Sequence, residues 1–289
     1  MRLKGKVAVI TGAGTGIGEA IAFKFAREGA SVVVAGLSTD PVDDVSRRIE
    51  GDGGRAVAFR GDLAEEVNAN ACVKAAIDAF GKLDILINNA GVLDAVGSVE
   101  TFPVDKFDAM LRNNLRTAFL MTKYAVPHLQ KTRGCIVSAG SEAGWNGTPM
   151  ATPYGGTKAF LHAFMKGVAL EQATYGVRAN CVCPGPIDTA WTHHETAPMD
   201  AETEQMYIKS TAQGRRGTPE EIANIYAFLA SDEASYVTGA LWLADGGITI
   251  AHGNVGELVP EEIASPPSPT LPLKHSLDGN KNKDIHRAA

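Results

Sequence analysis

The chain has 289 residues, 45% of them hydrophobic and 21% charged, with a formal net charge of −6. These are the values of a soluble globular protein, and the acidic balance argues against nucleic acid or an anionic membrane as the main partner. No apolar run approaches the roughly 18 residues that cross a bilayer, and Met1–Lys6 carries no signal-peptide apolar region, so a cytoplasmic setting is expected.

Val7–Ile10 is an apolar run bounded by turn residues, which predicts a strand buried on both faces. Thr11-Gly12-Ala13-Gly14-Thr15-Gly16-Ile17-Gly18 follows, then an amphipathic helix, Glu19 to Glu28, closed by Gly29 at C′. Glycines between a first strand and a first helix let the backbone approach a pyrophosphate, towards which the helix N-terminus points its N–H groups. The spacing is Gly-x-x-x-Gly-x-Gly, not the Gly-x-Gly-x-x-Gly of the standard dinucleotide fingerprint.

Ser31–Ala35 is the second predicted strand, followed by a polar helix from Val42 to Glu50 and the glycines 51, 53 and 54. Ala56–Phe59 is the third, ending at Gly61-Asp62-Leu63, with a helix over Glu65–Phe80. Asp84–Ile87, the fourth, runs into Asn88-Asn89-Ala90-Gly91, and a long helix covers Asp105–Gln130 with Pro127 as its candidate kink. Cys135–Val137 is the fifth, a helix runs to Thr174, Val177–Val182 is the sixth and Leu241–Ala244 the last. Alternating strands and helices imply an α/β fold, a doubly wound parallel sheet of about seven strands with helices on both faces. That domain covers residues 1–252, and a Pro-rich tail covers 253–289.

Tyr154 and Lys158 stand four residues apart on a predicted helix, hence on one face. A free phenol has a pKa of about 10, and an adjacent ammonium favours the phenolate. Ser141 sits at the C-terminal end of the fifth strand, where open α/β sheets place ligands, with Ser138 as a second, less suitable serine. One hydroxyl to orient an oxygen, one to exchange its proton and a cation beside them make an alcohol/carbonyl site. Cys181 and Cys183 share a strand face and read as small buried residues, so neither a disulfide nor a metal site is expected of them. His128 and His162 are expected at a surface or interface.

Taken together, the Thr11–Gly18 turn, Asp62, Asn88–Gly91, Ser141 with Tyr154 and Lys158, and Pro184-Gly185 with Thr189 resemble the short-chain dehydrogenase/reductase family, over roughly residues 5 to 250. The resemblance implies a Rossmann-type fold and an NAD(P)-dependent oxidoreductase acting on a secondary alcohol or ketone. It implies Ser141, Tyr154, Lys158 and Asn114 as catalytic residues, Tyr154 as general acid/base, Lys158 depressing its pKa and also binding the nicotinamide ribose. It places the pyrophosphate and adjacent ribose on Gly12, Thr15, Gly16, Ile17 and Gly18, and the adenine against Asp62 and Leu63. Asn88, Ala90 and Gly91 would line the cofactor and brace the sheet, and Pro184, Gly185, Ile187 and Thr189 would hold the nicotinamide end. A homotetramer or dimer built on the helices 105–130 and 154–174 is also implied. One departure is Ala139-Gly140, where the family commonly has isoleucine-serine.

At the end of the second strand, Ala35-Gly36-Leu37-Ser38-Thr39 has glycine where an acid would bind the ribose hydroxyls of NAD. Leu37 stands where an NADP enzyme would place arginine, Ser38 and Thr39 offer hydroxyls, and Arg47 or Arg48 are the nearest cations; Asp40 stands too late in the chain for the ribose. Loss of the acid removes a repulsion and leans the reading to NADP over NAD. Residues 189–217 form a substrate loop in which His193, His194 and Glu195 are read as exposed loop residues without a metal. Glu142 and Trp145 are candidates to shape the pocket. Thr218-Pro219-Glu220-Glu221 is a capping box. The tail is expected to wrap over a neighbouring surface or remain disordered. The alternative function is a non-catalytic dinucleotide-binding sensor.

Overall fold

The computed structural model describes residues 1–279 and the backbone of His286 and Arg287. In chain order the strands are β1 (Val7–Thr11), β2 (Ser31–Gly36), β3 (Arg55–Arg60), β4 (Ile85–Asn88), β5 (Ala95–Val96), β6 (Cys135–Ala139), β7 (Arg178–Pro184), β8 (Leu241–Ala244) and β9 (His286–Arg287). The helices are α1 (Gly16–Arg27), α2 (Val42–Gly51), α3 (Glu66–Phe80), α4 (Val104–Met110), α5 (Thr117–Thr132), α6 (Thr152–Gln172), α7 (Ala201–Ser210), α8 (Pro219–Ala230) and α9 (Glu261–Ala264). Seven strands form one sheet in the order β3-β2-β1-β4-β6-β7-β8, all parallel, and β5 pairs with β9 outside it.

Strand residues alternate between two cores, as a period of two requires. Ala8 and Ile10 pack with Val32 and Val34 under α1, α2 and α8, whereas Val7 and Val9 pack with Val33 and Leu86 under α3, α5 and α6. With both faces covered, β1, β2 and β4 are buried along their whole length, which is why they read as nearly continuous apolar runs. The strand order reverses between β1 and β4. Ligands of such sheets sit outside the carboxyl ends of the strands at that reversal.

The helix expected over 105–130 is α4 and α5 joined by a π-helical turn, Leu111–Arg116. Asn113 and Asn114, weak helix formers, lie in that turn. The wider turn brings the Asn114 amide to Val92, accepting from its N–H at 2.7 Å and donating to its carbonyl at 3.1 Å. Local π geometry of this kind recurs at functional sites. The segment 189–217, expected to cover the substrate, carries α7, started by Asp200, whose side chain accepts from the Thr203 N–H. The Thr218–Glu221 capping box is formed in both directions. Beyond the sheet, Leu271 is buried in the α1/α8 core, and Glu220 accepts from the Thr270 and Leu271 N–H groups at 2.8 and 3.0 Å. Among the described residues, no helix is long and apolar enough to cross a membrane.

Candidate active site

The glycine turn leaves β1 and enters α1 at the sheet reversal. Gly12 and Gly16 take left-handed φ values of +61° and +54°, which glycine alone adopts without strain. A Cβ on Gly12 would lie 2.9 Å from the Ala90 Cα, so β1 and the Asn88–Gly91 segment meet backbone to backbone. Asn89 fastens them, its side chain donating to the carbonyls of Thr11 and Gly12 at 3.1 and 3.2 Å. The Thr15 side chain makes no capping bond, leaving its hydroxyl to the cleft. A cavity of about 210 Å³ lies over this turn.

Fifteen of the eighteen residues expected at the dinucleotide line that cavity: Gly12, Thr15, Gly16, Ile17, Leu37, Asp62, Leu63, Ala90, Gly91, Tyr154, Lys158, Pro184, Gly185, Ile187 and Thr189. Three do not. Gly18 is buried behind the turn, where a Cβ would lie 2.0 Å from the Gly12 carbonyl oxygen. Asn88 is buried in the sheet, donating to Thr122 Oγ1 and Ser138 Oγ at 3.0 and 3.3 Å, and so braces β4 against β6. Ser38 is exposed beyond the end of β2. Asp40, set aside on sequence distance, is brought in by a tight turn. Its Oδ2 accepts from the Leu37 N–H at 2.8 Å, where a Cβ on Gly36 would also lie 2.8 Å away, and Asp40 lines the cavity. Arg47 and Arg48 do not: Arg47 pairs with Asp44, and Arg48 with Glu19 and Asp44.

The cation and the phenol come from one face of α6, both buried. Lys158 Nζ donates to the Ala139 carbonyl at 2.9 Å and lies 5.5 Å from the Tyr154 ring centroid. Ser141 caps a 3-10 turn, Glu142–Gly144, and its Oγ accepts from the Ala143 N–H at 3.1 Å. That bond leaves the hydroxyl proton free to be donated. Burial is the largest influence on both α6 groups: it pushes the Tyr154 phenol up, with Glu142 adding to this and a hydrogen bond from Ser141 opposing it, and it brings Lys158 down to about 8. The expected depression of the phenol pKa by Lys158 is not among the influences on it; burial dominates and raises it. Asn114 stands one layer back, donating to Thr157 Oγ1 at 3.1 Å, and a Cβ on Gly91 would lie 3.2 Å from its Oδ1 and 3.6 Å from Lys158 Nζ.

Ser141 and Tyr154 also line a second cavity of about 720 Å³, with Glu142, Met150, Trp191 and Tyr207 among its walls. The Trp191 ring meets Tyr154 edge-on at 6.3 Å. Trp145 is exposed and does not line either cavity. Burial, with Asp245 and Cys183 nearby, raises Glu142 from 4.5 to about 7. Between those values the folded chain keeps a proton that the unfolded chain has lost, so stability falls as pH rises through the window and stays lower above it. Glu142→Gln is expected to melt above the wild type at about pH 8 and level with it near pH 4. An equal gap at both values, read by thermal denaturation, would remove the carboxyl as the cause.

The loop histidines hold structure together. His193 Nε2 lies 2.6 Å from Asp188 Oδ1, and His194 Nδ1 lies 2.5 Å from Glu204 Oε2, with Arg216 also on Glu204. Burial opposes ionisation of Glu204, but bonds from the His194 N–H, its ring and Arg216 prevail and hold it at about 2. His162, expected at a surface, is buried with its Nε2 3.2 Å from Cys183 Sγ, and the ligand atoms of His162, Cys181 and Cys183 lie within 4.8 Å of one another. A Cβ on Gly140 would lie 2.5 Å from His162 Nε2 and 2.9 Å from Cys181 Sγ. This packing accounts for the glycine before Ser141. Nothing in the spacing of residues 140, 162 and 181 announces it; the signal in the sequence was the departure at Gly140.

A family model described as Enoyl-(Acyl carrier protein) reductase matches residues 12–249. The chain is 37% identical to meso-2,3-butanediol dehydrogenase of Serratia marcescens, covering 88% of this chain and 98% of that one. It is 38% identical to cyclohexanol dehydrogenase of Acinetobacter sp. (strain SE19), covering 86% and 96%. A solved short-chain dehydrogenase/reductase mutant of Serratia marcescens, 35% identical, superposes with a TM-score of 0.79 over 86% of this chain and 100% of that one.

Proposed function

The chain belongs to the short-chain dehydrogenase/reductase family and is an oxidoreductase of that type, and from that premise we propose that it moves a hydride between a nicotinamide dinucleotide and a small secondary alcohol or ketone. The observation that carries this reading is that Ser141 and Tyr154 line both cavities, so the proton-exchanging hydroxyl stands where the dinucleotide cleft meets the substrate cavity. Two relatives are named for secondary alcohols, 2,3-butanediol and cyclohexanol. The sensor alternative is not favoured, because the acid/base set is assembled and buried.

When bound, the nicotinamide supplies or accepts the hydride at the carbinol carbon. The residues of the chain handle the oxygen. In the reductive direction Tyr154 gives its phenolic proton to the oxygen as the carbonyl becomes an alcohol, and Ser141 donates a hydrogen bond that orients it. Lys158 holds positive charge beside the phenolate that remains, until it loses its own proton near 8. In the oxidative direction the phenolate takes the alcohol proton. Trp191 and Tyr207 wall the substrate cavity. Oxidation of butanediol or cyclohexanol, followed by the absorbance of the reduced nicotinamide, tests the reading; no turnover with either cofactor across a panel of cyclic, aliphatic and sugar alcohols would sink it.

We infer NAD rather than NADP, reversing the lean taken from the sequence. The Asp40 carboxylate closes the cleft at the end of β2, and among the described residues lining it the only basic side chain is Lys158. A carboxylate there accepts ribose hydroxyls and repels a 2′-phosphate. Asp40→Asn keeps an acceptor for the Leu37 N–H but removes the charge. It is expected to lower the ratio of kcat/KM for NAD over NADP by about tenfold or more. An unchanged ratio would exclude Asp40 as the discriminator.

The outer faces of α5 and α6 expose Phe119, Phe160 and Leu170, and Phe164 packs against both phenylalanines. We propose that copies pair there to form the homo-oligomer. A monomeric mass by light scattering would remove this part.

A further inference from the structure

We propose that residues 270–279 are an added wall of the dinucleotide site, a strap fastened across the pyrophosphate turn that must lift for the cofactor to exchange. The proposal rests on the dinucleotide reading above and concerns a segment beyond the family match, which ends at residue 249.

Its fastening point is Glu19, in the first turn of α1. The side chain is fully buried, a costly place for a carboxylate unless its oxygens are satisfied. Here they accept from the N–H groups of Lys274 and His275 at 3.0 and 2.9 Å and from Arg48 at 3.0 Å. Arg48 reaches on to the Pro272 carbonyl. His275 sits between two acids, its Nε2 2.9 Å from Asp44 Oδ2 and its Nδ1 2.5 Å from Asp278 Oδ2. On the far side of the cleft, the Ala190 N–H donates to the Ser276 carbonyl at 3.3 Å, and Ser276 Oγ donates to the Asp188 carbonyl at 2.9 Å. The strap thus ties α1 and α2 to the segment that follows β7.

Two observations connect it to the ligand. The Gly16 N–H, a leading donor of the helix N-terminus, is taken by the His275 carbonyl at 3.2 Å. Such donors are the ones a helix start offers to an anion, so the closed strap and the pyrophosphate draw on the same group. Ser276 and Gly279 also line the cofactor cavity, and a Cβ on Gly279 would lie 3.4 Å from Thr15 Oγ1 and 3.9 Å from Trp191 Nε1. Gly279 of the strap therefore stands between the glycine turn and the wall of the substrate cavity. Entry and exit of a dinucleotide past it require the strap to move.

A reversible lock tests this. A Cβ built on Gly279 lies 3.9 Å from the Ala190 Cβ, within disulfide range, and all four native cysteines are buried. In Ala190→Cys/Gly279→Cys, binding and release of the reduced dinucleotide are followed by stopped-flow fluorescence. Oxidation is expected to slow both by about tenfold or more, and a thiol reductant to restore them to the rates of the same variant before oxidation. Conversely, His275→Pro, which removes one N–H from Glu19 and both acid contacts, is expected to speed both by a similar factor and to lower the melting temperature, because the buried carboxylate loses a donor. Equal rates for the oxidised and reduced forms, failure of the two cysteines to join, or wild-type rates in His275→Pro would overturn the strap. A wild-type chain that binds no dinucleotide would instead overturn the functional reading on which it rests.

Discussion

Replacing Tyr154 with phenylalanine is expected to cut turnover by about 10² to 10⁴-fold, the usual worth of general acid/base help, while dinucleotide affinity stays within about threefold. The ring remains, so the edge-on contact with Trp191 and the burial against Met110 and Ala143 are kept. Only the hydroxyl is lost. Burial makes this loss severe, because it raises the phenol pKa and leaves water poorly placed to substitute as proton donor. The raised value also sets the direction of the pH effect in the wild type. The phenol is the abundant form at neutral pH, so reduction of a ketone has its proton donor in place. Oxidation waits on the phenolate, and its kcat/KM is expected to climb with pH until Lys158 gives up its own proton near 8. Steady-state kinetics in both directions reads both effects. Turnover near the wild-type value in Tyr154→Phe would end the assignment.

Gly18→Ala carries the second large effect, expected to weaken dinucleotide binding by about 100-fold and to destabilise the fold by about 2–4 kcal/mol. The added methyl would sit 2.0 Å from the Gly12 carbonyl oxygen and 2.7 Å from its carbon, with the Asn89 amide at 2.6 Å. Two of those neighbours are backbone of the turn and cannot rotate away. The start of α1 must back off β1, and with it go the N–H groups that face the cleft. Gly51→Ala is the matched control, since nothing lies within 4 Å of its added carbon at the end of α2. There the change is expected to be neutral or to stabilise by up to about 1 kcal/mol, because alanine has the better helix propensity. Isothermal titration with the dinucleotide and thermal melts separate the two variants. Unimpaired binding in Gly18→Ala would mean that the turn is not the pyrophosphate cradle.

The parts of this protein legible in the sequence are those governed by short separations. Val7–Ile10, the glycine turn and the following helix are set by period, backbone freedom and cap residues within one segment, and they form in that order, with the helix starting at Gly16 inside the turn rather than at Glu19. Tyr154 and Lys158 share a face because four residues make about one helical turn, whatever else the chain does. The Thr218–Glu221 cap is local in the same way. What tertiary structure alone decided lies at the ends of long separations or in turns whose path has no period. Asp40 reaches the end of β2 because its carboxylate closes the turn back onto the Leu37 N–H, and counting residues along an extended strand placed it too far away. His162 meets Cys183 because α6 packs on the sheet behind Ser141, and Asn88 and Ser138 bond to each other because β4 and β6 are neighbours. Glu19 was read as the first residue of a helix, yet it is buried by a segment about 255 positions later in the chain. Composition predicts that such a tail packs poorly; only the closed sheet, with α1 and α2 side by side, presents the acceptors that hold it.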